Sequence, residues 1–230
     1  TRPRIGLALG SGVARGWAHL GVIRALARIA TEPDVIAGTS IGAVVGGCHL
    51  AGRADALEAW ARSLTRLRMI SYMDFRVRNG GMIGGRHLVD ALRQNLGDVR
   101  IEDLPIPFVT IATDLVTGHE VWLREGDLVD AIRTSFSLPG VFEPVQHHER
   151  WLVDGALVNP VPVSVCRALG VQMVIAVNLN ADILGKERRA GAAVPTVAGI
   201  DQQNELKEHE EETRKTTIGT LARRIFRREP

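Results

Sequence analysis

The 230-residue chain is 45% hydrophobic and 23% charged, with a formal net charge of +2. That composition describes one globular domain with a sizeable core, and its charge offers no electrostatic case for nucleic acid. Its two cysteines, Cys48 and Cys166, lie in apolar runs; they exclude a disulfide framework and are expected as buried, reduced thiols of a cytosolic protein.

RIGLALG (4–10) is a short apolar run closed by glycine, the pattern of a buried parallel strand. GWAHLGVIRALARIA (16–30) then places Leu20, Ile23, Leu26 and Ala27 near helical spacing. DVIAG (34–38) predicts a second strand. IGAVVGGCHLAG (41–52) predicts a second helix, whose Gly42, Ala43, Gly46 and Gly47 suit close approach to a sheet. ADALEAWARSLTRL (54–67) and GRHLVDALRQNLG (85–97) predict the third and fourth helices. IPFVTIATDL (106–115) is β-branched with proline at its start, and EVWLREG (120–126) predicts another strand. DLVDAIRTSFS (127–137) has helical periodicity and is stopped by Pro139-Gly140. His147 and His148 read as exposed loop residues ahead of RWLVDGA (150–156), a strand ending in an Asp-Gly turn. VPVSVCRALG (161–170) is a helix with a C-terminal glycine, and VQMVIAVNLN (171–180) an apolar strand closing the core.

Strands alternating with helices predict an α/β fold of three layers, a mostly parallel central sheet with helices on both faces. The folded domain is expected over residues 1–180. Residues 181–230 read as a linker and a charged tail containing ELKEHEEETRK (205–215). No run of about 18 apolar residues is present to span a membrane, and the opening TRPRIGLALG lacks the cleavage pattern of a signal peptide.

Gly38-Thr39-Ser40-Ile41-Gly42 lies where the second strand turns into the second helix. The G-x-S-x-G spacing suggests a strained elbow that lifts the Ser40 hydroxyl out of the sheet, the flanking Gly38 and Gly42 relieving crowding. The bland alternative is an N-cap, with Thr39 or Ser40 capping the helix. A serine hydroxyl needs a base within hydrogen-bond reach. A Ser-His-Asp triad would need a histidine after the acid, and only His209 in the charged tail fits that order. Asp154 is the other candidate, at the end of a strand and ahead of Gly155-Ala156, where a carboxylate projects from the carboxyl edge of the sheet. Its bland alternative is an Asp-Gly turn that bonds its own backbone. Gly10, Gly12 and Gly16 sit between a strand and a helix, where successive N–H groups make an oxyanion cradle. A dinucleotide-binding module is the competing reading, with Glu32 or Asp34 as the ribose acid, but the third glycine comes one residue late for G-x-G-x-x-G.

Together these segments resemble the patatin-like phospholipase family, particularly its compact bacterial members, over about residues 4–180. GLALGSGVARG is similar to the family's glycine-rich segment with its trailing Arg15-Gly16, GTSIGA to its elbow, and DGALVNPVP to its D-G-[GA] motif. ATDLVTG (112–118) and SFSLPGVFEPV (135–145) also look like segments found between those motifs. The resemblance implies a Ser-Asp dyad acting on acyl esters, often of lipids, with Ser40 as nucleophile and Asp154 as general base and later proton donor. It implies an oxyanion hole of backbone N–H groups around Gly10, Ser11, Gly12 and Val13, with Arg15 holding that loop or adding positive charge beside it, and Asn159 bracing the Asp154 turn next to Gly155. This chain carries Ser11 and Val13 where the family often has glycine.

No metal or other cofactor is expected, because no His, Cys, Asp and Glu group has ligand spacing. The expected partner is a lipid or other acyl-ester substrate, without nucleic acid. Two segments raise peripheral membrane contact. RLRMISYMDFRVRNGGMIGG (66–85) mixes apolar side chains with arginines and reads as a lid or as a connector. Ile218, Leu221, Ala222 and Ile225 fall at helical spacing beside four arginines, reading as a basic amphipathic helix or a solvated tail.

Overall fold

The computed structural model describes residues 2–63 and 86–181. The stretch 66–85 and the tail from 182 onward, with the lid and amphipathic-helix readings they carry, lie outside the described residues.

Strands β1 (Ile5–Leu9), β2 (Val35–Thr39), β3 (Phe108–Asp114), β4 (Glu120–Leu123), β5 (Val145–His147), β6 (Arg150–Asp154) and β7 (Met173–Val177) form one sheet. Helices α1 (Ala18–Arg28), α2 (Ile41–Leu50), α3 (Ala54–Ser63), α4 (Arg86–Leu96), α5 (Leu128–Ser135) and α6 (Val163–Ala168) surround it. β7, β1, β2 and β3 run parallel in that order, with Leu9 opposite both Gly38 and Val177, and Thr39 opposite Ile111. Their carboxyl ends therefore share one edge.

β4 and β6 both pair with β3 antiparallel, β4 at Thr110–Thr113 and β6 at Ala112–Asp114. β4 overlaps the partners of both β2 and β6, so it occupies one edge of β3 while β2 and β6 share the other. β2 stops opposite Ile111 and β6 takes over at Ala112, where Asp154 pairs. A sheet that changes partner along one edge is what brings the ends of β2 and β6 together.

Alternation along the strands separates two apolar layers. Leu7, Leu9, Ile36 and Phe108 face α1 to α5, meeting Leu20, Val45, Leu57, Leu92 and Ile132. Ala8, Val35, Ala37, Val109 and Ile111 face Val165 and Cys166 of α6. Three layers result, as expected. Asp127 caps α5 by accepting from the Asp130 N–H at 2.8 Å and holds Arg93 of α4 through two bonds of 2.9 and 3.0 Å. Cys48 and Cys166 are buried and unpaired, and burial pushes their thiols up to about 12 and about 11. They are inert as nucleophiles.

Two expectations need correction. His147 and His148 are both exposed, as expected, but His147 ends β5 and His148, at φ 53°, turns the chain into β6, so the polar stretch is a hairpin and only partly loop. A three-residue strand with exposed side chains has too little apolar periodicity to be seen. β7 lies at the end of the strand order with Met173 half exposed, so it is an edge strand that fails to close the core.

Candidate active site

Ser40 is the first residue beyond β2 and immediately precedes α2. Its backbone is held at φ 57°, ψ −121°, a conformation that strains any residue with a side chain. The side chain makes no capping bond to α2, which removes the N-cap reading. Instead its Oγ donates to Asp154 Oδ2 at 2.7 Å. The elbow can be this tight because Gly42 backs onto β1: a Cβ there would stand 2.1 Å from the Leu9 carbonyl oxygen. Gly38 is buried within β2, opposite Leu9 and Thr110.

Asp154 ends β6 and is 2% exposed. The carboxylate makes the turn bond and also meets the Ser40 hydroxyl. Oδ1 accepts from the Ala156 N–H at 2.8 Å, the turn bond, while Oδ2 receives the Ser40 hydroxyl. Gly155 packs onto β3, where a Cβ would stand 2.2 Å from the Ile111 oxygen. Burial pushes the Asp154 carboxyl above its ordinary range, against the opposing pull of the Ala156 N–H and the Ser40 hydroxyl. Among the described residues no histidine nitrogen bonds to Ser40 or Asp154. His19, the one buried histidine beside the glycine-rich loop, donates Nε2–H to the Gly10 carbonyl at 2.7 Å.

The glycine-rich loop divides into two pairs. Gly10 N–H donates to Val177 O at 3.1 Å and Ser11 N–H to Pro160 O at 2.8 Å. Those two groups are engaged in the sheet edge and the β6–α6 connection, which corrects their expected place in an oxyanion hole. The Gly12 and Val13 N–H groups have no acceptor among the described residues. Val13 holds φ 49°, and its side chain is 74% exposed. Arg15 donates to Leu179 O at 3.2 Å, tying the loop to the chain beyond β7. Asn180, which no sequence signal singled out, donates to Ser11 O at 3.3 Å from the same side.

Asn159 joins several segments around the Asp154 turn. Its N–H donates to Gly155 O at 2.9 Å, and its amide to Glu120 and Ser164 at 3.0 Å each. Its carbonyl accepts the Thr39 hydroxyl at 2.9 Å, so the loop after Asp154 is bonded to the residue before Ser40. A cavity of about 450 Å³ opens beside Ser40 and Asp154, lined also by Gly12, Val13, Arg15 and Leu138 among others. Asp34, the candidate ribose acid, precedes β2 at the opposite end of the sheet, where it accepts from Ile5 N–H at 2.7 Å and pairs with Arg2. The dinucleotide reading loses its anchor.

Among the described residues no group of three His, Cys, Asp or Glu could hold a metal ion, and no helix is long and apolar enough to cross a membrane. The cavity is thus lined by a buried alcohol and carboxylate in hydrogen-bond contact and by Gly12 and Val13, whose N–H groups lack an acceptor among the described residues.

The family model described as patatin-like phospholipase matches residues 7–167. An NTE family protein of Mycobacterium tuberculosis is 44% identical over 188 residues, which are 82% of this chain and 52% of the relative. Neuropathy target esterase sws of Drosophila melanogaster is 32% identical over 76% of this chain and 13% of its own length. The mouse patatin-like phospholipase domain-containing protein 7 is 32% identical over 76% of this chain and 14% of its own. VipD from Legionella pneumophila, a solved structure, overlaps 67% of this chain and 46% of its own at 12% identity, with a TM-score of 0.44. The chain thus spans about half the length of the mycobacterial relative and a small part of the animal ones.

Proposed function

This chain belongs to the patatin-like phospholipase family, and from that premise we propose that it is a serine hydrolase of carboxylic acyl esters, with lipids as the substrate class. Ser40 is the nucleophile and Asp154 its base, working through an acyl-enzyme. The observation that carries this reading is the 2.7 Å bond from Ser40 Oγ to Asp154 Oδ2 on the wall of the cavity.

Asp154 takes the hydroxyl proton as Oγ attacks the ester carbonyl. Charge that develops on the carbonyl oxygen meets the N–H groups of Gly12 and Val13 and the amino end of α2. Collapse of the tetrahedral species breaks the bond to the alcohol, which leaves with the proton from Asp154. Water then enters, loses its proton to the same carboxylate as it attacks the acyl carbon, and the acid leaves as the acyl–oxygen bond breaks and Asp154 returns that proton to Ser40 Oγ. The raised pKa suits the carboxylate to both halves of this cycle, since a group held above its ordinary range accepts a proton more readily. Arg15 on the cavity wall offers positive charge to a phosphate-bearing headgroup.

Covalent capture by a fluorophosphonate tests the nucleophile. Wild-type protein is expected to be labelled at Ser40 and to hydrolyse p-nitrophenyl esters, with both signals lost in Ser40→Ala. Undiminished labelling of that variant removes Ser40 from the mechanism. A panel of lysophospholipids and diacyl phospholipids then fixes the substrate.

A further inference from the structure

β2 and β3 form a parallel ladder in which Ile36 N–H donates to Pro107 O at 3.0 Å. The two-residue step of such a ladder carries the series to Gly38 and Val109, and next to Ser40 and Ile111. That last rung is not made directly. Ser40 N–H donates at 2.9 Å to the hydroxyl of Ser135, and the same hydroxyl donates at 2.6 Å to Ile111 O. A side chain from the end of α5 has been inserted where a backbone bond would otherwise stand. Two residues on, the Ser137 carbonyl accepts the Asp154 N–H at 2.9 Å. Ser135 and Ser137 are 0% and 1% exposed, so water does not compete for these bonds.

Resting on the acyl-hydrolase reading above, we infer that Ser135 is a positioning residue for the nucleophile, and that Ser135-Phe136-Ser137 holds both members of the dyad by their backbones. The relayed rung lets the chain leave β2 at Thr39 and enter the left-handed conformation at Ser40 while the Ser40 N–H and the Ile111 carbonyl both stay satisfied. The hydroxyl acts as acceptor and donor together, a combination that serine supplies and alanine does not. Without it two buried backbone groups lose their partner, and the elbow relaxes toward the direct rung. That movement turns Ser40 Oγ away from Asp154 Oδ2. The pair then no longer starts in hydrogen-bond contact, which is the geometry that lets the attack proceed.

Ser135→Ala is assayed beside Thr134→Val, which removes an almost equally buried hydroxyl from the same helix, one bonded to Asp130 O at 2.8 Å instead of to Ser40 or Ile111. The readouts are thermal stability, and kcat and KM per fluorophosphonate-titrated site on a soluble p-nitrophenyl ester. Both variants are expected to melt earlier. Only Ser135→Ala is expected to lose kcat, by about 10²-fold with KM little changed, because misplacement of this size acts on the reacting pair. If Ser135→Ala is not recovered folded, Ser135→Cys replaces it, since a thiol is a weaker donor and acceptor, and a smaller loss in the same direction is expected. Wild-type kcat per titrated site in whichever variant folds overturns the inference. A wild-type protein that neither labels nor turns over esters removes the hydrolase reading itself, and this assignment with it.

Discussion

Thr39 and Asp154 meet end to end along one edge of β3, opposite the adjacent residues Ile111 and Ala112. The first belongs to a strand running parallel to β3 and the second to one running against it, so both chains finish at the same point. Ser40, the next residue after Thr39, thereby comes within one hydrogen bond of Asp154, 114 positions away, without a long loop to carry either. The Thr39 hydroxyl, bonded to Asn159 O, fastens the two ends to each other.

The environment of Asp154 sets opposite pH trends for activity and stability. Burial raises its pKa, and the base works only as carboxylate, so the acid limb of kcat/KM is expected above the ordinary value of about 4. For stability, a raised folded-state pKa means that the contribution is fully present below about 4 and is lost as pH rises through the folded value. Asp154→Asn keeps the shape and never ionises. Its turnover should fall by about 10²–10⁴-fold. Its Tm should exceed that of wild type at pH 7, with the gain closing by pH 4. Parallel Tm curves for the two proteins across that range contradict the burial argument.

Gly42→Ala tests the close approach of α2 to β1. With a Cβ 2.1 Å from Leu9 O, the helix start must move outward, and Ser40 moves with it. Overpacking against backbone of this kind is expected to cost about 3 kcal/mol, a fall in Tm on the order of 10 °C for a domain of this size. Fluorophosphonate labelling at a temperature where the variant is still folded should be slower than in wild type. Labelling at the wild-type rate would show that the elbow does not depend on this contact.

The parallel half of the sheet was legible because Ile5–Leu9, Val35–Thr39 and Phe108–Asp114 are short segments rich in apolar and β-branched residues with glycine or proline at or near one end. The contact between Ser40 and Asp154 was foreshadowed because each stands at the end of a strand-forming segment, Ser40 two residues from Gly38 and Gly42 and Asp154 next to Gly155. What stayed hidden depends on partners remote in sequence. Nothing near Gly10 or Ser11 announces that Val177 and Pro160 will take their N–H groups. Ser135 looks like any helical serine until Ile111 and Ser40 arrive on either side of it. β7 misled because an apolar edge strand and an apolar central strand have the same composition, and only the neighbours tell them apart.

His19 is expected to make the glycine-rich loop sensitive to acid. It is fully buried and gives Nε2–H to Gly10 O, while its Nδ1 has no partner among the described residues. Burial lowers its pKa, the bond to Gly10 acting the other way. A depressed folded-state value means that this stability is present above the unfolded pKa of about 6.5 and is lost as pH falls toward the folded one. Each such site contributes at most about 1.4 kcal/mol per pH unit. His19→Gln keeps an N–H donor and does not titrate, so its Tm should fall less steeply between pH 6.5 and 5 than that of wild type. His49, also lowered by burial, should leave a residual slope. Identical slopes in both proteins would place the acid sensitivity elsewhere.

Val13 carries the cost of a side chain where the loop turns. At φ 49° a β-branched residue crowds its own carbonyl, and the left-handed conformation costs about 1–2 kcal/mol for a residue with a Cβ. Glycine pays no such penalty but loses more backbone entropy on folding, about 0.5–1 kcal/mol. The balance favours glycine by up to about 1 kcal/mol, since the exposed valine side chain gives back little burial. Val13→Gly is therefore expected to raise Tm by about 2–4 °C. Turnover should be retained, because the backbone N–H at this position survives the substitution. A fall in Tm would mean that the valine side chain stabilises the loop by contacts its exposure does not suggest. Retained stability with lost turnover would mean that the loop needs the stiffness of valine to aim its N–H groups into the cavity.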